Sequence, residues 1–235
     1  EERGNYKNEK KYGLHEVFHE NGQLKKKGYF KNDKEQGLVE SFFKNGQLSS
    51  KGNYKNGKRE GLWEYFDEGG NLTDTKEYID GDVVEKIVEY YDNGHLQSTR
   101  NYKNGKKDGL WEWFYEDGQL ETKQNYKNGK RDGLYESFNE NGQLRQKGNF
   151  KNGKRDGLSE RFHENGQLEF RRNYKNGKQD GLWEYFDDDG QLSSKRNWKN
   201  GKRDGLYERF EIDGSLLYKT CFKNNGVVDM SYCTN

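Results

Sequence analysis

One interval governs this chain. Gly22, Gly46, Gly70, Gly94, Gly118, Gly142, Gly166, Gly190 and Gly214 recur every 24 residues, and each is followed two positions later by Leu, from Leu24 to Leu216. A second row at the same interval runs from Tyr6 through Tyr54 and Tyr126 to Phe222, and a third from Phe18 through Phe66 and Phe114 to Phe210. A fixed period of this kind outranks other fold signals, because it makes the chain one small structural unit repeated.

Residues 109–130 show what the unit is. Leu110, Glu112 and Phe114 alternate with Trp111 and Trp113, the period-two pattern of a strand. Tyr115-Glu116-Asp117-Gly118 suits a short hairpin loop with a bulge, a type I turn followed by a left-handed glycine, which sets Phe114 opposite Leu120. A second strand follows to about Lys127, and Asn128-Gly129 is the strongest short hairpin signal available. Counting across that turn leaves Leu134 on the face opposite Tyr126, although both belong to the recurrent apolar set. The pattern therefore predicts one extra residue absorbed as a β-bulge at Asp132-Gly133 and its equivalents Asp108-Gly109, Asp156-Gly157, Asp180-Gly181 and Asp204-Gly205, where glycine tolerates a positive φ.

There is no proline and no helical periodicity. The expected fold is all-β: an elongated single-layer antiparallel β-hairpin meander of about 18 strands at ~4.8 Å spacing. Four large apolar side chains per repeat at ~2 kcal/mol each do not offset an ordering cost of ~1–2 kcal/mol per residue, so one repeat alone should not fold. Residues 1–235 read as a single array of about nine repeats. Residues 79–102 form a degenerate repeat in which the Gly-Leu step is lost and Val88 replaces the usual Glu, through drift, a local bend or a contact site. Residues 217–235 read as a cap over the last edge.

Alternation sorts the side chains onto two faces. Leu110, Glu112, Phe114, Leu120 and Tyr126 vary little between repeats and read as the structural face. Its glutamate row runs Glu16, Glu40, Glu64, Glu112, Glu136, Glu160, Glu184 and Glu208. Equivalent strands lie roughly 10 Å apart, so these carboxylates suit hydrogen bonding to the next hairpin better than paired acid–base work. The other face carries Trp63, Tyr65, Trp111, Trp113, Tyr135, Trp183, Tyr185 and Tyr207, interleaved with Val39, Ser41, Ser137, Ser159 and Arg161. Pairing places Trp111 opposite Lys123, Tyr135 opposite Lys147 and Trp183 opposite Lys195. These aromatics are either shielded by cations or form the candidate partner-binding surface.

This unit, G-L-W-E-Y-F-(x)3-G-Q-L-(x)5-Y-K-N-G-K, as in Gly181–Gln191 and Tyr54–Lys58, resembles the bacterial variant of the MORN repeat and is similar in particular to arrays of the YwqK antitoxin type. The likeness repeats nine times over essentially the whole chain. It implies a string of β-hairpins used as an interaction scaffold, and it brings no catalytic residues with it.

Composition narrows the function. Lys plus Arg (42) and Asp plus Glu (41) nearly cancel, which leaves no net field for a nucleic acid backbone or an anionic membrane. His15, His19, His95 and His163 fall mostly at different repeat positions, and Cys221 and Cys233 stand alone near the end, so no metal site, catalytic nucleophile or cofactor is expected. The two cysteines can pair in an oxidising compartment. The chain starts in mid-repeat without Met, which leans toward an exported or cell-envelope protein that has lost an upstream signal. The expected function is a non-catalytic scaffold for a protein partner, either another protein or a second copy. The alternative is an exported protein that binds glycan or assembles into an appendage.

Overall fold

A computed structural model describes residues 1–234. The first strands are β1 (Glu2–Lys7), β2 (Lys10–Phe18), β3 (Leu24–Lys31), β4 (Lys34–Phe42), β5 (Leu48–Lys55), β6 (Lys58–Phe66) and β7 (Leu72–Ile79). They are followed by β8 (Asp82–Tyr90), β9 (Leu96–Lys103), β10 (Lys106–Phe114), β11 (Leu120–Lys127), β12 (Lys130–Phe138), β13 (Leu144–Lys151) and β14 (Lys154–Phe162). The last are β15 (Leu168–Lys175), β16 (Lys178–Phe186), β17 (Leu192–Lys199), β18 (Lys202–Phe210), β19 (Leu216–Lys223) and β20 (Gly226–Val228), and one helical turn, α1 (Ser231–Thr234), closes the described chain. The fold is all-β, built from antiparallel hairpins with the 24-residue period. The chain divides into two compact units, Glu1–Glu85 with Tyr102–Gly105, and Lys86–Asn101 with the residues from Lys106 onward. The division falls inside the degenerate repeat.

Both turns have the expected chemistry. Asn128 and Gly129 take φ of 51° and 83°, the two left-handed residues of a type I′ turn. At the other end Gly118 has φ 89°, its N–H donates to Tyr115 O at 2.9 Å, and Tyr115 N donates to Gln119 O at 2.8 Å. Phe114 pairs with Leu120 as expected.

The bulges differ from expectation in size and number, and the difference decides which side chains share a face. Gln124 pairs with Tyr135 and Tyr126 with Arg131, so Asp132–Leu134 together lie opposite Asn125 alone. The irregularity is at the Asp-Gly step, with Gly133 at φ 105°, but it absorbs two surplus residues. An even number keeps the alternation in phase. Leu134 therefore stays opposite in facing to Tyr126, which joins the Trp111 side, ring to ring at 5.1 Å. Beyond the bulge expected at the loop glycine, a further one lies in the strand after the type I turn: Phe114 pairs with Leu120 but Trp113 with Thr122, leaving Glu121 surplus. It moves the register by one, so Trp111 lies opposite Gln124, Tyr135 opposite Gly148 and Trp183 opposite Arg196, and the three lysine pairings expected from simple counting do not occur.

Candidate interaction surface

The face that carries the tryptophans is the buried one. Trp63, Trp111 and Trp183 are 2%, 3% and 4% exposed, and Val39, His15 and Ser159 are buried at the same register. In the first unit Val39, Trp63 and Tyr78 form the core, with Tyr54, Tyr65 and Val83 against them. The expectation that this row is open surface fails for Trp63, Trp111 and Trp183, while Tyr65, Trp113, Tyr135, Tyr185 and Tyr207 are half-buried beside them. No ring face of Trp111 or Trp183 is open to a sugar.

Local chemistry explains the position. Each indole donates to the carbonyl of the Asn ten residues earlier: Trp63 to Asn53 at 3.2 Å, Trp111 to Asn101 at 2.8 Å and Trp183 to Asn173 at 2.9 Å. His15 occupies the same place and bonds Asn5 O through Nε2 at 2.7 Å. A buried ring N–H is thus satisfied, and a histidine substitutes for the indole. Room for the ring comes from the neighbouring strand. A Cβ at Gly52 would lie 2.3 Å from Trp63 Cδ2 and one at Gly4 2.1 Å from His15 Nδ1, so only glycine fits beneath them. Cations lie over the rings: Arg59 is 4.3 Å from Trp63, Lys107 is 4.0 Å from Trp111 and Arg172 is 4.9 Å from Trp183. Arg59 also donates to Tyr65 and Tyr78, whose hydroxyls are 2.9 Å apart. Burial, then the Tyr78 hydrogen bond, pushes the Tyr65 phenol up from 10.0 to about 12. Burial also acts to raise Tyr78, but its bonds to Tyr65 and Arg59 outweigh that and hold it below its ordinary value.

The opposite face carries a ladder of alternating charge. Glu112 pairs across with Lys123, and Lys123 with Glu136. Lysine–carboxylate contacts of 2.6–2.8 Å recur at Lys27–Glu40, Lys51–Glu64, Lys123–Glu136, Lys147–Glu160 and Lys195–Glu208, with Arg171–Glu184 in the same place at 2.7 Å. The glutamates thus bond to an intervening cation rather than to backbone or hydroxyl groups, except that Thr99 Oγ1 donates to Glu112. The same cations lie over the phenylalanine row, as Lys51 does over Phe66 at 5.8 Å. Beside the ladder a line of leucines is open: Leu14, Leu38, Leu62, Leu134 and Leu158, reaching 49% at Leu38 and 56% at Leu62. In the second unit, among the described residues, the ladder runs from Glu112 to Lys219; Thr99 and Val88 interrupt it in the degenerate repeat.

Successive repeats are bolted together at both turns. The carboxylates of Asp108, Asp132, Asp156, Asp180 and Asp204 each accept from the backbone N–H of the Asn in the following Asn-Gly turn, or of Asn224, at 2.9–3.3 Å. At the other edge Asn93 Nδ2 donates to Glu116 O, and the Tyr91 and Tyr115 hydroxyls donate to the carbonyls of Phe114 and Phe138. Side-chain amides also repair the bulge, since Asn173 and Asn197 donate to Leu182 O and Leu206 O, as Asn101 does to Leu110 O. None of these bridging roles was anticipated. Their signal was present in the fixed Asp and Asn positions of the repeat.

Hairpins joined in series, each completing its hydrogen bonds on the next, define a β-repeat array. The chain belongs to the MORN repeat variant family, whose model matches residues 11–32, 35–56, 59–80, 86–104, 107–128, 131–152, 155–176 and 179–200. Repeats of this family are interaction modules for proteins or membrane lipids and are generally not catalytic. Among curated proteins no match is found. Among solved structures, a chain of the complex titled Crystal Structure of TcdB2-TccC3-Cdc42 is similar at 13% identity and a TM-score of 0.23, over 88% of this chain and 13% of that one. That likeness carries no argument about function.

Proposed function

We propose that the chain is a non-catalytic scaffold that holds a protein partner along the ladder face, of the antitoxin or immunity type suggested by the resemblance to YwqK arrays. The observation that supports this is the line of exposed leucines, Leu14, Leu38 and Leu62 in the first unit and Leu134 and Leu158 in the second, beside charges that are already paired. An apolar line flanked by neutralised charge is a surface from which a partner displaces water at little electrostatic cost. The half-buried Tyr65, Trp113, Tyr135, Tyr185 and Tyr207 line the other face and are not the surface proposed. The test is affinity capture from the native source with the wild-type chain and with the triple variant Leu38→Asp, Leu62→Asp, Leu158→Asp. A stoichiometric protein partner retained by the first and lost by the second is expected. Equal retention by both would overturn the assignment.

A secreted or envelope location has one supporting observation, the disulfide between Cys221 and Cys233, which ties α1 to β19. Non-reducing mass analysis of the protein from its source should find both thiols oxidised; two free thiols would count against that location.

A further inference from the structure

The near-zero net charge conceals a separation of charge between the two turn edges of the second unit. At the Asn-Gly edge, Lys127 pairs directly opposite Lys130, Lys151 opposite Lys154, Lys175 opposite Lys178 and Lys199 opposite Lys202. Like charges placed directly across a strand pair repel. All eight side chains are exposed, and none has an ion-pair partner among the described residues. The carboxylates nearest this edge, from Asp108 to Asp204, point at the backbone N–H groups of the next turn. The ladder lysines Lys123, Lys147 and Lys195, in contrast, are paired.

The other edge is the reverse. Its six turns read Tyr91-Asp92-Asn93-Gly94, Tyr115-Glu116-Asp117-Gly118, Asn139-Glu140-Asn141-Gly142, His163-Glu164-Asn165-Gly166, Asp187-Asp188-Asp189-Gly190 and Glu211-Ile212-Asp213-Gly214, with no Lys or Arg in any of them. Their carboxylates are exposed and make no ion pair among the described residues; Asp117, Asp189 and Asp213 accept from a backbone N–H two residues on.

Both edges advance by one turn per repeat, about 10 Å for two strand spacings. Their charges are opposite and their interval is the same. We infer that the acidic turn edge of one molecule docks along the lysine edge of a second copy, so that copies associate side by side. Because the two surfaces differ, the contact is head-to-tail in kind and open-ended rather than a closed two-fold pair. Single exposed ion pairs are weak, and it is the number engaged together that gives the contact its strength and its salt sensitivity. The inference concerns the edges alone and stands apart from the partner proposed for the ladder face.

The test uses the full chain in light scattering or sedimentation, at about 0.01 M and about 1 M salt, where screening lengths are ~30 Å and ~3 Å. The wild type should show a mass about two-fold or more above the monomer at low salt and the monomer at high salt. One variant reverses the basic edge (Lys127→Glu, Lys151→Glu, Lys175→Glu) and another the acidic edge (Glu116→Lys, Glu140→Lys, Glu164→Lys), each checked for wild-type circular dichroism. Each alone should stay monomeric at low salt, and an equimolar mixture should regain the larger mass. A wild type that remains monomeric at low salt, or single variants that still associate, would overturn the inference. So would a monomeric wild type that binds phosphatidylserine vesicles through the lysine edge, since the occupant would then be an anionic bilayer.

Discussion

On one face of each unit the same residue types return every 24 positions and meet partners one strand away; on the other the residue changes from Val39 to Trp63, or from Trp111 to Ser159, and that is the buried face. Constancy on the ladder face comes from pairing, because a Glu meets a Lys or Arg across from it in each repeat but the degenerate one. Variety on the ring face comes from packing, because different cross-strand pairs fill the same space. Gly28 lies beneath Val39 and Gly52 beneath Trp63, whereas Arg196 pairs with Trp183. Regular recurrence therefore marks local complementarity in this fold, and burial belongs to the register rather than to the residue type, since Val39, Trp63 and Ser159 are all buried there.

The contrast is sharpest between adjacent residues. Trp63→Ala should cost ~3–5 kcal/mol in denaturant unfolding, as expected for a buried aromatic, while Leu62→Ala, one residue earlier and facing the other way, should cost under ~1 kcal/mol. Equal losses would break the comparison. Gly52→Ala should cost ~1–3 kcal/mol through overpacking against the indole. Much of that cost should vanish in a Trp63→Ser background, which imitates Ser159 over Gly148; strict additivity would show that the ring is not what glycine accommodates. On the ladder face a double-mutant cycle on Lys51 and Glu64 should give a coupling of only ~0.2–1 kcal/mol that fades with salt, both side chains being about a third exposed. A coupling of several kcal/mol would mean that this face, too, is sealed from water.

The phenol pair gives the smallest effect at neutral pH and a specific one in alkali. Because folding raises Tyr65 from 10.0 to about 12, the folded chain keeps a proton in that window that the unfolded chain has lost. The stabilisation from Tyr65 is complete below pH 10 and disappears as pH rises through about 12. Tyr115, Tyr207 and Tyr232 are raised as well, so ultraviolet titration should show one fewer late phenol in Tyr65→Phe than in the wild type; an unchanged late phase would place the raised group elsewhere.

Most of the architecture is legible from spacing. The glycine interval, the Asn-Gly turns and the type I turns closing on glycines such as Gly118 depend only on local φ preferences, which the residue types carry. The faces are less legible, because assigning them requires the parity of every bulge. Glu121 and its equivalents look like ordinary strand residues, and nothing in the Asp132-Gly133 step says whether it absorbs one residue or two. The size matters: one surplus residue would have put Tyr126 beside Leu134, and two put it against Trp111. The edge polarity was hidden differently, since opposite charges half a repeat apart cancel in any sum over the chain.

Solvent accessibility of the two faces is the most direct measurement of all. Hydroxyl-radical footprinting with mass-spectrometric readout, on the folded and the denatured chain, should show Trp63, Trp111 and Trp183 strongly protected by folding while Leu38, Leu62 and Leu158 remain oxidisable. Tryptophans oxidised as fast in the folded chain as in the denatured one, with the leucines protected instead, would contradict the assignment of the ring face as the core.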